Sequence, residues 1–151
     1  MSKAIETIKT IRASTVKLVE GLSNEQLNKV PEGFINNIIW NLGHMVAAQQ
    51  GICYKRSGIE ARIDDSFFER YKPGTKPEGH INEAEVEEIK ALLVSTIDQL
   101  ETDFKESLFK EYPAFTTRYG VELASVEDAI NFLPFHDGLH MGYIMALKRA
   151  I

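Results

Sequence analysis

The sequence of 151 residues is poor in cysteine and has no run of basic residues. Its single cysteine, Cys53, excludes an internal disulfide bond, which agrees with a reducing compartment such as the cytoplasm. Lys and Arg number 17 against 22 Asp and Glu, so the formal net charge is −5. Because nucleic-acid binding needs a basic surface, these counts argue against a nucleic-acid partner.

Long hydrophobic runs are also missing. No apolar stretch approaches the roughly 20 residues that span a bilayer, so we expect no membrane partner. The N-terminus, MSKAIETIKT, carries charge from its third position and lacks the apolar region of a secretory signal. A hydrophobic content of 44% excludes disorder, and the length suits one domain, residues 1–151. We therefore predict a single cytoplasmic domain.

No segment shows the alternation of a β-strand, whereas four long segments carry apolar residues at helical spacing. The four predicted helices span about residues 2–21, residues 36–56, residues 82–104 and residues 125–151. In the first of them, the predicted buried stripe contains Ile5, Ile8, Ile11, Thr15, Leu18 and Leu22. These segments predict an all-α fold, a four-helix bundle.

The segment between the second and third helices, residues 59–81, is rich in proline and glycine. We predict a long crossover connection there, with one short helix. Residues 116–123 are predicted to be irregular or briefly extended, and Pro134 is expected to kink the last helix. Helix starts are indicated by capping signatures, which pair Ser23 with Gln26, Asn82 with Glu85, and Ser125 with Asp128.

Two histidines of the last helix, His136 and His140, lie one turn apart and face the same way. They share a stripe with Leu133, Tyr143 and Leu147, which indicates that they point into the core. A lone histidine there would be read as a core residue bonded to its neighbours. Two adjacent buried imidazoles are costly unless something joins them, and a metal ion does so through neutral ring nitrogens.

The second helix supplies a third histidine, His44. Asn37, Trp40 and Asn41 share its side of the helix, which suits a pocket wall better than a hydrophobic seam. Asn37 and Asn41 are therefore candidate polar groups of the pocket. For Trp40, simple core packing is favoured over a substrate contact. The Tyr143 hydroxyl can act as an acid or donor if it reaches the pocket, although core packing is the favoured account.

At these positions the sequence resembles a known family. Residues 39–44 (IWNLGH) and residues 136–142 (HDGLHMG) resemble the two motifs of the DinB superfamily, which are bacterial proteins. The resemblance covers nearly the whole chain. It implies a four-helix bundle with a divalent metal, zinc or nickel, held by His44, His136 and His140. Several relatives look like transferases of low-molecular-weight thiols, or thiol-dependent isomerases or hydrolases, and homodimerisation through helix faces is plausible for the family.

Three protein ligands leave an open coordination position, as at catalytic zinc. Such a position binds water and lowers its pKa, or binds a thiol and deprotonates it. The leading hypothesis is therefore a metal-dependent thiol transferase or hydrolase that acts on a small molecule between the second and fourth helices. The alternatives are a non-enzymatic metal-binding or ligand-sensing module, and an interaction scaffold with a vestigial site.

Three further residues are weaker candidates for a role in the metal site. Asp137 is expected to point about 100° away from His136, which makes it a weak partner for that imidazole. Cys53 lies about 180° round the helix from His44 and is interpreted as a packed apolar residue. His80 falls in a Gly/Pro-rich loop and is expected to be solvated.

Overall fold

The computed structural model describes residues 2–151, and their secondary structure is mostly helical. The helices within this range are α1 (Lys3–Val19), α2 (Asn24–Asn28), α3 (Ile38–Gln49), α4 (Asp65–Tyr71), α5 (Glu83–Lys105) and α6 (Val126–Ala150). Helix α3 continues as a π-helical segment, Gln50–Lys55. Strands β1 (Phe115–Thr116) and β2 (Glu122–Leu123) pair antiparallel. The predicted all-α class is confirmed, with this short hairpin as the only sheet in the described range.

The helices begin where their capping residues predict. Asn82 and Glu85 form a reciprocal capping box, with the Glu85 amide donating to Asn82 Oδ1 at 2.9 Å. The Asp128 amide donates to Ser125 Oγ at 3.0 Å, and Ser23 caps α2 in the same manner. Each cap satisfies amide groups that the first helical turn leaves without a partner.

The long helices pack around a shared interior. Helices α1 and α3 each contact both α5 and α6. No helix in the range 2–151 is both long enough and apolar enough to cross a membrane. Helix α6 runs unbroken through Pro134, and the kink expected at that residue stays a prediction.

The buried face of α1 differs from the predicted stripe. Arg12 is fully buried, whereas Ile11 is only half-buried. The buried positions of α1 are Ile5, Ile8, Arg12, Thr15 and Val19, which alternate steps of three and four residues. The prediction assigned Ile11 and Leu18 to the buried face, whereas the structure buries Arg12 and Val19. The apolar pattern could not indicate this, because the buried residue at position 12 is charged.

The connection between α3 and α5 contains the predicted short helix, α4, which packs on α3. The contact depends on Gly43, since a Cβ atom there would lie 2.6 Å from the ring of Tyr71. Gly43 therefore allows α4 to approach α3 closely, at the residue that precedes His44.

Candidate metal centre

Three buried histidines meet between α3 and α6. Each of His44, His136 and His140 offers a ring nitrogen, and these nitrogens all lie within 4.8 Å of one another. The ring centroids of His136 and His140 are 4.6 Å apart, and that of His44 lies 4.8 Å from His140. Their exposed fractions are 6% to 8%. One ion can reach imidazoles at this spacing.

Hydrogen bonds orient two of the imidazoles. His44 Nδ1 lies 2.8 Å from the carbonyl oxygen of Tyr71, which can only accept, so Nδ1 carries the proton. His140 Nδ1 lies 2.8 Å from Asn41 Oδ1. The amide nitrogen of Asn41 donates to the Asn37 carbonyl at 2.8 Å, which leaves Oδ1 as the acceptor for His140. Both rings therefore present an unprotonated Nε2, the form that binds a metal.

The third imidazole, His136, faces a buried carboxylate. Its Nδ1 lies 3.6 Å from Asp137 Oδ1, and neither atom has a hydrogen-bond partner in the described part of the chain. The other carboxylate oxygen, Asp137 Oδ2, accepts from Arg12 Nε at 2.7 Å. At this separation no hydrogen bond joins the two groups, so the expectation that Asp137 is a weak partner for His136 stays a prediction.

Arg12 anchors this carboxylate from the far side of the core. Burial alone would raise the pKa of Asp137, but the charge of Arg12 and the neighbouring His136 hold that pKa below its ordinary value. Both terminal nitrogens of the guanidinium also donate to acceptors on α3 and α5. Its remaining acceptors are Gln49 Oε1, Thr96 Oγ1 and the carbonyl oxygens of Met45 and Leu93.

The electrostatics of the cluster favour the neutral forms of His44 and His140. Burial, which penalises the charged form, lowers the pKa of His44 to about 4, and the nearby His136 adds to the effect. Burial and the two neighbouring histidines lower the pKa of His140 to about 3. Both rings are therefore uncharged at neutral pH, with the single proton on Nδ1 and Nε2 free, as metal ligation requires.

A cavity of about 410 Å³ opens onto the three histidines. Trp40 forms part of its wall and stacks on His44, with ring centroids 4.6 Å apart and planes inclined by 10°. Trp40 is also buried within a hydrophobic core cluster, as the favoured interpretation of core packing predicts. The other wall residues are Ala47, Ala48, Gly51, Ile52, Phe68, Pro73, Gly74, Phe115, Thr117, Arg118, Tyr119 and Phe132.

The predicted polar candidates occupy different places. Asn41 bonds to His140, as described above. Asn37 caps α3, where its Oδ1 accepts from the Trp40 amide at 2.8 Å. The ring of Tyr143 packs edge-on against that of Phe34, with centroids 5.7 Å apart. Neither Asn37 nor Tyr143 is among the residues that line the histidine cavity.

The other two residues behave as expected. Cys53 is fully buried in the hydrophobic core, and burial raises the pKa of its thiol to about 12. It is therefore a packed residue and not a nucleophile. His80 is exposed, with its Nε2 3.1 Å from the side-chain nitrogen of Asn24.

Sequence reasoning missed the contribution of the β-hairpin. Phe115, Thr117, Arg118 and Tyr119 line the cavity, although they lie far along the chain from all of the helix α3 residues in the wall. No periodic pattern marks such a loop. The only available signal was the aromatic content of the segment, with a single basic residue among those side chains.

Most of the chain is similar in sequence to a known protein family. A family model of the DinB superfamily matches residues 7–144. The matched range includes all three histidines, as well as Arg12 and Asp137. No curated protein matches the chain.

Proposed function

The chain belongs to the DinB superfamily, and we propose that it is a metal-dependent enzyme, a thiol transferase or a hydrolase, that acts on a small molecule. The observation that carries this proposal is the cluster of three buried histidines at the wall of a cavity of about 410 Å³. A structural zinc site is closed by four protein ligands, whereas three ligands beside a cavity leave room for a reactant.

His44, His136 and His140 are the residues that would hold the metal. Their donor set is all imidazole, a ligand type that suits both zinc and nickel. A divalent metal in this position would supply a Lewis acid that activates a thiol or water as nucleophile at neutral pH. The chain's own contribution is orientation, since the Tyr71 carbonyl and Asn41 fix two ring tautomers.

The walls of the cavity favour an apolar reactant. Trp40, Phe68 and Phe132 present aromatic surface to the same space as the histidines. Such walls exclude water around a bound molecule and strengthen electrostatic interactions within the site. A small electrophile with an apolar body, joined to a low-molecular-weight thiol, fits this environment.

We also propose that the four long helices form a four-helix bundle with a crossover connection between the second and third of them. The contacts of α1 and α3 with both α5 and α6 support this architecture, and residues 59–81 would form the crossover. A cytoplasmic location and a homodimer are further parts of the proposal.

A non-enzymatic metal-binding or ligand-sensing module is the second candidate. The same cavity favours it, because a sensor also needs room for its ligand. In a scaffold, by contrast, the histidines would have no need to present free ring nitrogens to one another. Metal content therefore tests the scaffold, and turnover separates the enzyme from the sensor.

The proposal is tested by elemental analysis of the purified, untagged protein beside the His136→Ala and His80→Ala variants. We expect about one zinc or nickel ion per chain in the wild type and in His80→Ala, and none in His136→Ala. Because His80 is exposed and lies outside the cluster, His80→Ala shows whether the loss of a histidine elsewhere changes the metal content. Metal-loaded protein is then assayed with thiols and electrophiles. Failure of the wild type to bind either metal overturns both the enzyme and the sensor, whereas a bound metal without turnover overturns the enzyme alone.

A further inference from the structure

One basic side chain, Arg118, lines the histidine cavity from the turn between β1 and β2. Its guanidinium is exposed, and no hydrogen bond or ion pair joins it to the rest of the described chain. Several other arginines are engaged by protein acceptors. Arg62 pairs with Asp103 at 3.1 Å, and Arg56 donates to the carbonyl oxygens of residues 113 and 114.

The turn holds Arg118 at a defined place. The Thr117 amide donates to the Val121 carbonyl at 2.8 Å, and the Gly120 amide donates to the Thr117 carbonyl at 2.9 Å. Gly120 has a φ of +81°, the left-handed conformation that a tight turn requires and that glycine adopts without strain. The guanidinium carbon lies over the ring of Tyr119, 5.6 Å from the ring centroid. The hydrogen bonds of the turn therefore hold the positive charge of Arg118 at the edge of the cavity.

The cavity contains no charge that balances Arg118. Its wall includes no aspartate or glutamate among the described residues, and most of it is apolar or aromatic. A cation beside low-dielectric walls attracts an anion more strongly than the same cation on an open surface. A guanidinium also presents parallel donors that match the two oxygens of a carboxylate.

We propose that the cavity binds a small organic anion, with its carboxylate or sulfonate on Arg118 and its apolar body against the aromatic wall. This inference deepens the proposed function and rests on it for the role of the ligand as a reactant. Anion binding itself does not depend on the metal. The anionic group would lie at the hairpin, which would leave the opposite end of the molecule toward the histidines.

The test uses metal-free protein and a matched pair of probes, 4-phenylbutyrate and its neutral amide. Trp40 is the only tryptophan of the chain and lines this cavity, so its fluorescence reports binding there. We expect the wild type to bind the carboxylate about three- to tenfold more tightly than the amide. Arg118→Gln should abolish that preference without changing the Kd of the amide.

Arg149→Gln is the matched control. Arg149 is exposed near the end of α6 and does not line the cavity, so its removal changes the net charge by the same amount. We expect it to retain the preference for the carboxylate, and Arg118→Lys to retain part of it. The inference is overturned if the wild type shows no preference, if the preference survives in Arg118→Gln, or if neither probe alters the Trp40 signal.

A separate readout distinguishes this inference from the proposed function. Arg118→Gln should still take up about one zinc ion per chain, because the hydrogen bonds that orient His44 and His140 do not involve Arg118. If carboxylate preference depends on Arg118 but no metal is bound, the anion site stands and the metal-dependent function fails. If metal binds but the wild type shows no preference for the carboxylate, the anion site fails and the metal-dependent function is unaffected.

Discussion

Arg12 of α1 and Asp137 of α6 form a buried ion pair, with Nε and Oδ2 2.7 Å apart and side-chain exposures of 1% and 0%. The pair lies directly behind the candidate metal site, because the second carboxylate oxygen of Asp137 faces His136 Nδ1 at 3.6 Å. The interior of the protein thus contains a charged network where a helical core would ordinarily be apolar. The network joins α1 to the helix that supplies two of the three histidines.

Loss of the cation from this pair should be strongly destabilising. Arg12→Met leaves the Asp137 carboxylate buried without its partner, which we expect to lower the free energy of unfolding by about 3–5 kcal/mol. Urea denaturation of the metal-free protein measures the change. The double variant Arg12→Met, Asp137→Leu removes both charges and should recover part of the loss. A double variant less stable than Arg12→Met would contradict the argument.

The close approach of α4 to α3 should make Gly43 intolerant of a methyl group. In Gly43→Ala the new Cβ would meet the Tyr71 ring at 2.6 Å, so we expect a loss of about 1–3 kcal/mol in unfolding free energy. Zinc affinity should fall as well, because displacement of Tyr71 disturbs the hydrogen bond that His44 Nδ1 donates to the Tyr71 carbonyl oxygen. Thermal denaturation and a zinc titration measure the two effects.

Gly142 on α6 provides the control for this substitution. It lies inside the helix, is exposed, and has no atom within 4 Å of an added Cβ. Gly142→Ala should therefore raise the unfolding free energy by up to about 1 kcal/mol, since alanine is the better helix former. If the two alanine variants are equally stable, the steric account of Gly43 is incorrect.

The hydrogen bond from His140 to Asn41 should contribute to metal affinity. Asn41→Ala removes the acceptor that fixes the ring tautomer, and we expect the zinc Kd to rise about 10- to 100-fold. Asn131→Ala, at an exposed position of α6, should leave the Kd unchanged. Competition with a chelator of known affinity gives both constants. Equal zinc affinity in the two variants would show that Asn41 does not support the site.

An acid-dependent contribution to stability is expected from Glu101 of α5. Hydrogen bonds from Lys105 and Lys9 lower the pKa of Glu101 from 4.5 to about 2. Because the folded-state pKa is the lower one, the stabilisation is fully present above pH 4.5 and is lost as the pH falls toward 2. Glu101→Gln should therefore be less stable than the wild type at pH 7, with the difference shrinking below pH 4.5.

Glu87 serves as the comparison for this pH profile. It is exposed and pairs with Lys90 within one helical turn, at 2.9 Å. Exposed pairs of this kind contribute little, so Glu87→Gln should match the wild type at every pH. Urea unfolding at several pH values measures both variants. A difference between Glu101→Gln and the wild type that is constant from pH 7 to pH 3 would contradict the assignment.

Local chemistry accounts for what the sequence determined. Asn82 and Ser125 cap their helices through bonds that span three residues, so their effect is visible in a short segment. His136 and His140 are brought together by the geometry of one helix, and spacing alone predicts their shared face. The family motif then placed His44 beside them. The buried cluster of three histidines, on α3 and α6, agrees with that prediction.

Tertiary structure decided the features that join distant segments. Arg12 and Asp137 are 125 positions apart in the sequence. The residues around either of them do not indicate that its charge is buried and paired with the other. Arg118 reaches the cavity because a hairpin between α5 and α6 folds over it, and no helical periodicity extends into that turn. A helical pattern reports which face of a segment is apolar. It carries no information about a charge whose burial is stabilised by another element of the chain.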